Sequence, residues 1–228
     1  MASTEKANWN KLIDDLIRQG ILRSPEVIRA MRAVPRARFL PADMQTYESV
    51  DTPLPIGSGQ TISAPHMVSI MNEALDLKVG HRVLEVGGGS GWHAATIAEI
   101  VAPHSTPRSE WGHVFTIEIV AGLAENARRN IINSGYGDRV TIITGDGSKG
   151  YAEKAPFDRI IVAAAAPQVP KPLVDQLKLG GILVVPVGSH TLFQTLVKVT
   201  KQSDGKIRES NLGSVAFVPL RGEFGHKL

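Results

Sequence analysis

Three short apolar runs each end in residues suited to holding a polar ligand. Val83-Leu-Glu-Val86 leads into Gly87-Gly88-Gly89-Ser90-Gly91, with Glu85 just ahead of the glycines. Val114-Phe-Thr-Ile117 ends in Glu118, and Val140-Thr-Ile-Ile143 runs on to Gly145-Asp146-Gly147. A glycine-rich turn between a strand and a helix brings backbone close to a ligand and aims helix N–H groups at it. The spacing excludes two ligand classes. A dinucleotide fingerprint needs G-x-G-x-x-G, but here the sixth position is Trp92; a P-loop needs a lysine that this turn lacks. Glu85 is a poor neighbour for phosphate. It suits a cationic ligand with an ammonium group, such as S-adenosylmethionine. Glu118 is placed to take both hydroxyls of a ribose, and Asp146-Gly147 to meet an adenine edge. Each piece also has a plain reading: a tight turn, a solvated acid at a helix start, an ordinary Asp-Gly turn. The three in order, at consecutive strand ends, favour the cofactor.

A second group lies upstream. Val50 to Ile62 carries two Pro and two Gly in thirteen residues, a shaped loop with extended stretches and no regular helix. Ser63-Ala-Pro65-His66 follows. Ser63 stands where a helix N-cap belongs, and its hydroxyl is equally a donor for a bound oxyanion. His66, one turn on, is either structural or part of a pocket wall. Ile56, Gly57 and Gln60, together with Phe217 and Val218 far downstream, are expected to form an extended groove whose backbone hydrogen bonds accept many peptide sequences. Arg29, Arg32, Arg36 and Arg38 raise a nucleic-acid reading. A solvated helix C-terminus, where cations suit the dipole, is preferred.

These residues need a frame. Trp9, Leu12, Ile13, Leu16 and Ile17 fall on one helix face, closed by Gly20. Ser24-Pro25-Glu26 starts a second helix that Pro35 stops, and Pro65 opens a third with Met67, Val68, Ile70, Met71, Ala74 and Leu75 on its apolar face. From residue 81 strand, turn and helix alternate: strands at 83–86, 114–117, 140–143, 159–163 and 181–185, helices at 92–101, 120–133 and 170–177. Such alternation predicts an α/β fold with a doubly wound, mostly parallel sheet. Strands at 193–200 and 212–220, around the turn signal Ser203-Asp-Gly205, add an antiparallel edge. The reading is one domain over 1–228: a helical cap and substrate loop (1–80), a cofactor-binding core (81–190) and a C-terminal β segment (191–228). The connection 102–113 reads as a surface loop.

Composition narrows the field. The 228 residues are 43% hydrophobic and 21% charged, ordinary for a globular chain. With no cysteine, disulfide scaffolds, thiolate metal sites and cysteine nucleophiles drop out; no metal site is expected. A net charge of +3 and 5% aromatics argue against a dedicated nucleic-acid binder. The longest clean apolar run, Ile160 to Ala166, is far short of the roughly 20 residues of a membrane span. No apolar leader precedes the first helix, so a cytoplasmic location is expected.

The chain resembles the protein-L-isoaspartate O-methyltransferases from about Ile13 to Pro219. The diagnostic stretch is Pro53-Leu-Pro-Ile-Gly57-x-Gly59-Gln-Thr-Ile-Ser-Ala-Pro-His66-Met67. Val34-Pro35-Arg36-x-x-Phe39, Gly145-Asp-Gly147-x-x-Gly150-Tyr151, Ala155-Pro-Phe-Asp158, Ala164-Ala-Ala-Pro167 and Phe217-Val-Pro-Leu220 support it. The resemblance implies a class I, Rossmann-like fold and methyl transfer from S-adenosylmethionine to the α-carboxylate of L-isoaspartyl residues in damaged proteins. It implies cofactor contacts from Thr61, Ile62, His66, Glu85, Gly87, Gly89, Ser90, Gly91, Glu118, Asp146 and Gly147, with Ser63 at the reacting centre. Peptides bound in extended form and a monomeric enzyme go with it. Gly-Gly-Gly stands where Gly-Thr-Gly or Gly-Ser-Gly is usual, which removes a hydroxyl and adds backbone freedom. Two other readings stay open: a methyltransferase for RNA or a small molecule, and a non-catalytic cofactor-binding module.

Overall fold

The computed structural model describes residues 3–189 and 191–227, with side chains from Asn8 onward. In chain order the elements are α1 (Ser3–Arg18), α2 (Pro25–Ala33), β1 (Leu54–Gly57), β2 (Gln60–Ile62), α3 (Pro65–Leu75), β3 (Arg82–Val86), α4 (Trp92–Val101), β4 (His113–Glu118), α5 (Ala121–Asn133), β5 (Val140–Thr144), β6 (Phe157–Val162), α6 (Lys171–Asp175), β7 (Leu177–Val187), β8 (Gln194–Lys201) and β9 (Ile207–Val215). Seven strands form one sheet in the order β5-β4-β3-β6-β7-β8-β9. The five from β5 to β7 pair in parallel, and β8 and β9 add antiparallel. The order reverses between β3 and β6, the crevice where doubly wound sheets take their ligands.

Strand alternation sorts side chains between two cores. Val83, Val114 and Ile161 face α1 to α5 together with Trp9, Met71, Ile97 and Leu123. Leu84, Val86, Ile117 and Ile160 face α6 with Leu173. Glu85 stands between Leu84 and Val86, so the two-residue period sends it to the face of Val83. The β3–β4 register sets Glu85 beside Thr116.

The upstream stretch is more regular than its composition suggests. The Pro/Gly-rich segment forms a two-stranded antiparallel hairpin, β1–β2, turned at Ser58 (φ 52°) and Gly59 (φ 69°). The N-cap of α3 is Ala64, directly before Pro65 at the first helical position. Ser63 lies one residue outside the helix, and its hydroxyl makes no hydrogen bond within the described residues, which corrects the capping reading. Arg36 is a larger correction. It is fully buried, and its Nη1 donates to the carbonyls of Thr52 (3.0 Å) and Ser63 (3.2 Å). Burial pulls its pKa down to about 10 against the opposing charges of Asp51 and Glu48. A side chain read as solvated is the internal pin of the substrate loop. The connection after α4 is knitted to itself, Trp111 Nε1 donating to the carbonyls of Pro103 and Thr106. It enters β4 at its N-terminal end, at the edge of the sheet away from the glycine turn.

Last, β9 begins at Ile207 and ends at Val215, earlier at both ends than expected. The chain beyond it leaves the sheet and bridges at Pro219 to Ala165, past the end of β6. No helix among the described residues is long and apolar enough to cross a membrane.

Candidate active site

Four parallel strands deliver the site. The turn after β3 places Gly87 at φ 90°, Gly89 at φ 52° and Gly91 at φ 87°, a conformation that favours glycine. Contact excludes side chains as well. A Cβ on Gly88 would meet Thr116 Oγ1 at 2.5 Å, and one on Gly147 would meet Val86 Cγ1 at 2.7 Å. The backbone therefore approaches this cleft without side chains in the way. Glu118, at the end of β4, is buried. Its Oε2 accepts from Gly89 N (2.8 Å) and its Oε1 from Val120 N (2.9 Å), each oxygen keeping a further acceptor site.

Three hollows meet here. The first is lined by Gly87, Gly89, Glu118, Gly147 and Gln60, with Val218 to Arg221 along one rim. Its enclosed space is about 60 Å³, and about 550 Å³ with its open mouth. Ligand sites typically offer roughly 300–1,000 Å³, so this hollow is an open trough of that size rather than a closed chamber. The second is a groove of about 810 Å³ between Ser63, His66 and Met67 on one wall and Phe193 and Ser214 to Pro219 on the other. The third, about 40 Å³, joins them: Ser63, Glu85, Gly87 to Ser90 and His93 line it. Thr61 and Ala163 line all three.

Glu85 is fully buried in that junction. Its Oε2 accepts from Thr116 Oγ1 (2.5 Å), and its Oε1 has no hydrogen-bond partner. Burial, helped by the nearby charge of Glu118, pushes the acid up to about 8 despite the Thr116 hydroxyl. Asp146, at the end of β5, is tied up by neighbours. Its Oδ1 accepts from Ser148 N (2.9 Å) and Ser148 Oγ (2.6 Å), and its Oδ2 from Glu223 N (2.9 Å). Burial raises this acid, but the hydrogen bonds outweigh burial and hold it below the usual carboxylate range. The segment after Pro219 thus straps across this end, with Phe224 N on Ser148 Oγ and Lys149 paired to Glu223. A Cβ on Gly222 would overlap Asp146 Oδ1.

Placement separates the expected residues in new ways. Gln60, expected on the peptide side, lines the trough, while Ile56 backs the glycine turn with Phe39 and Ser90. Gly57 lines none of the three hollows. His66, expected at the cofactor, lines the groove. Asp51 Oδ1 lies 2.9 Å from His66 Nδ1 and also accepts the His66 backbone N–H. The Asp51 bond raises the His66 pKa against the effect of burial. Gly91 packs against α5 instead of facing the trough. Phe217 and Val218 line the groove, Val218 also reaching the trough. Three contributors escaped sequence reasoning: Thr116, which bonds Glu85; Ala163, at the switch point; and Arg36, whose anchor is read only from the carbonyls it meets.

Trough and junction together fit a nucleoside cofactor with a cationic tail. Gly147 in the trough and Gly88 in the junction have no room for a Cβ, Glu118 keeps acceptor sites at a strand end, and a buried Glu85 oxygen in the junction lacks a partner. Comparison with known proteins agrees. A family model described as protein-L-isoaspartate(D-aspartate) O-methyltransferase matches residues 7–225. A protein-L-isoaspartate O-methyltransferase of Hyperthermus butylicus is 58% identical over 215 residues, 94% of this chain and 89% of that one. One from Staphylothermus marinus is 52% identical over 227 residues and the whole of both chains. The crystal structure of a Plasmodium falciparum relative of the same description, in complex with S-adenosyl-L-homocysteine, superposes with a TM-score of 0.81 at 29% identity, covering 93% of this chain and 98% of that one. The sheet order is that of the Rossmann-like class I methyltransferases. With a match that runs from α1 to the strap across Asp146, the chain belongs to the protein-L-isoaspartate(D-aspartate) O-methyltransferase family.

Proposed function

We propose that methyl transfer takes place in the small junction at Ser63, between the glycine trough and the open groove. The chain is an S-adenosylmethionine-dependent protein-repair methyltransferase acting on the α-carboxylate of L-isoaspartyl residues. The observation that carries the placement is the shared wall: Thr61 and Ala163 border all three hollows, and Ser63 opens onto both groove and junction. Glu118 holds the ribose end of the cofactor, and the turn after β3 follows its length. Asp146 and Gly147 border the adenine end under the strap. When bound, the cofactor supplies an electrophilic methyl on a sulfonium.

The substrate carboxylate is ionised near pH 7 and needs no general base. Catalysis therefore rests on alignment of carboxylate oxygen, methyl and sulfur, which supplies up to roughly 7–11 kcal/mol. Ser63 donates one neutral hydrogen bond to the carboxylate, worth about 0.5–1.5 kcal/mol. That fixes the nucleophile without neutralising it, as a buried arginine would. Arg36 acts only behind the loop, through the Ser63 carbonyl.

The groove takes peptides in extended form, beside the 214–219 backbone. The enzyme works as a single-domain monomer in the cytoplasm. Nucleic acid is not its substrate: Arg36 is buried, Arg29 is paired with Glu99 and Arg32 with Asp14. The test offers labelled S-adenosylmethionine to two matched peptides, one with L-isoaspartate and one with aspartate. Base-labile label on the isoaspartyl peptide alone is expected. Equal labelling of both, or label on RNA, would overturn the reading.

A further inference from the structure

Behind the glycine turn lies a chain of buried polar side chains that alignment of the reactants does not use. His93, on α4, has its Nε2 3.1 Å from Asn72 Oδ1 on α3. The Asn72 amide donates to Thr96 Oγ1 (3.2 Å), which donates to the His93 carbonyl (2.8 Å). Since the amide nitrogen of Asn72 is committed as a donor, its Oδ1 accepts, and the His93 proton is assigned to Nε2. The lone pair on Nδ1 then faces Glu85 Oε1 at 3.7 Å. That is too long for a hydrogen bond, and it brings an acceptor, not a donor, toward the acid.

We infer that Glu85 is a charge-sensing acid, which carries a proton on Oε1 in the free enzyme and releases it when a cationic group seats in the junction, with His93 as the positioning residue that keeps donors away. The O–H bond of Glu85 breaks, its electron pair stays on Oε1, and the proton passes to the buffer. The inference rests on reading the trough as the cofactor site; both ammonium and sulfonium are cations of the required kind.

The surroundings support it from every side. From β4 come Thr116, on Oε2, and Glu118, whose negative charge disfavours a second carboxylate. From α4 comes His93, which burial depresses to about 3, so it stays neutral and is no base for the proton. From the substrate loop comes Ser63. His93 is the sole group within ion-pair range of Glu85 among the described residues. An acid with an unpartnered buried oxygen and no cation nearby is held neutral by burial, and an arriving cation supplies what is missing.

The experiment is calorimetry of S-adenosylhomocysteine binding at pH 6.5 in two buffers of different ionisation enthalpy. This ligand keeps the ammonium, and at that pH its amine stays protonated throughout. Close to one proton released per ligand is expected. 5′-Methylthioadenosine has the same nucleoside and a neutral thioether but no amine; it is expected to release none. Glu85→Gln should bind S-adenosylhomocysteine without release. His93→Asn sets an amide donor beside Oε1, favours the carboxylate in the free enzyme, and should cut release by more than half. Binding by the unaltered enzyme with no buffer-dependent heat overturns the inference, as does equal release with the neutral nucleoside. Unchanged release in His93→Asn removes the role of His93. Failure of S-adenosylhomocysteine to bind at all overturns instead the cofactor reading underneath.

Discussion

The two sides of Thr61 are built from different materials. The trough is made largely of backbone: Gly87, Gly89 and Gly147 along it, the Glu118 carboxylate locked by N–H groups, and an enclosed space of about 60 Å³. The groove is made of side chains around about 810 Å³. One of its walls ends in Phe193, which is 78% exposed. Backbone cannot be varied by substitution without moving the fold, so the trough suits a ligand that never changes. Side chains around open space tolerate many shapes, as a repair enzyme needs when damage arises in any sequence. The hairpin β1–β2 serves both, since Gln60 and Thr61 border the trough while Thr61 and Ser63 border the groove.

The strongest attack on this contrast removes what the halves share. Arg36→Met leaves the Thr52 and Ser63 carbonyls without their donor, at roughly 1–3 kcal/mol for each buried group. A loss of about 2–5 kcal/mol and a Tm lower by about 5–15 °C are expected in calorimetric unfolding. Cofactor and peptide binding should weaken together; an unchanged Tm would remove the pin. Next comes a change in the glycine turn, on the cofactor side of the junction. Gly88→Ala drives a Cβ into Thr116 Oγ1, an overpacking of about 1–3 kcal/mol. S-adenosylhomocysteine should bind roughly 5–100-fold more weakly by titration, with the peptide KM untouched at saturating cofactor. Equal damage to both would erase the contrast. Ser63→Ala probes the other half: kcat should fall about 2–12-fold, in line with one lost hydrogen bond, while cofactor affinity holds.

The smallest effect is a pH dependence at the groove wall. His66 binds its proton more tightly folded than unfolded, because Asp51 holds it. Its contribution to stability is therefore complete below the unfolded value near 6.5 and fades as pH rises through the folded one. Burial raises the Asp51 acid, but the hydrogen bonds from His66 leave it lowered. Its share is complete above the unfolded value near 3.8 and is lost as pH falls through the folded one. Both groups are partly exposed, so less than about 1 kcal/mol is at stake. Denaturant titrations at pH 5.5 and 9 should differ by more in the native chain than in His66→Asn. A parallel response in the two would assign the dependence elsewhere.

What could be read in advance followed periodicity. The cores of the five parallel strands, the limits of α4 and the hairpin turn at Asp204-Gly205 sit where local pattern placed them, whereas β9 does not. What escaped depends on distance along the chain. Arg36 looked solvated because its acceptors, Thr52 and Ser63, lie in another loop. Ser63 looked like a cap because Pro65 announces a helix start; the chain arrives from β2 still extended, which puts the cap at Ala64 and leaves the serine on the wall of groove and junction. Asp146 was legible as a strand-end acid, but its partner Glu223 lies in the strap. The exchange of Gln60 and His66 between trough and groove had no local signal at all. Gln60 opens the second strand of a hairpin that pattern alone did not resolve into strands, and His66 sits in the first turn of α3.

The bridge between Ala165 and Pro219 makes the site a composite of parts far apart in the chain. Glu85, Glu118 and Asp146 lie on or just past three strands that pair side by side, β3, β4 and β5. The rim from Val218 to Arg221 comes from the segment after β9, and the bridge holds it against the trough. A ligand stabilises whichever state forms its site, by an amount that grows with the logarithm of its concentration over Kd. A cofactor seated in the trough therefore stabilises the docking of the segment after β9 together with the three strands it rests on.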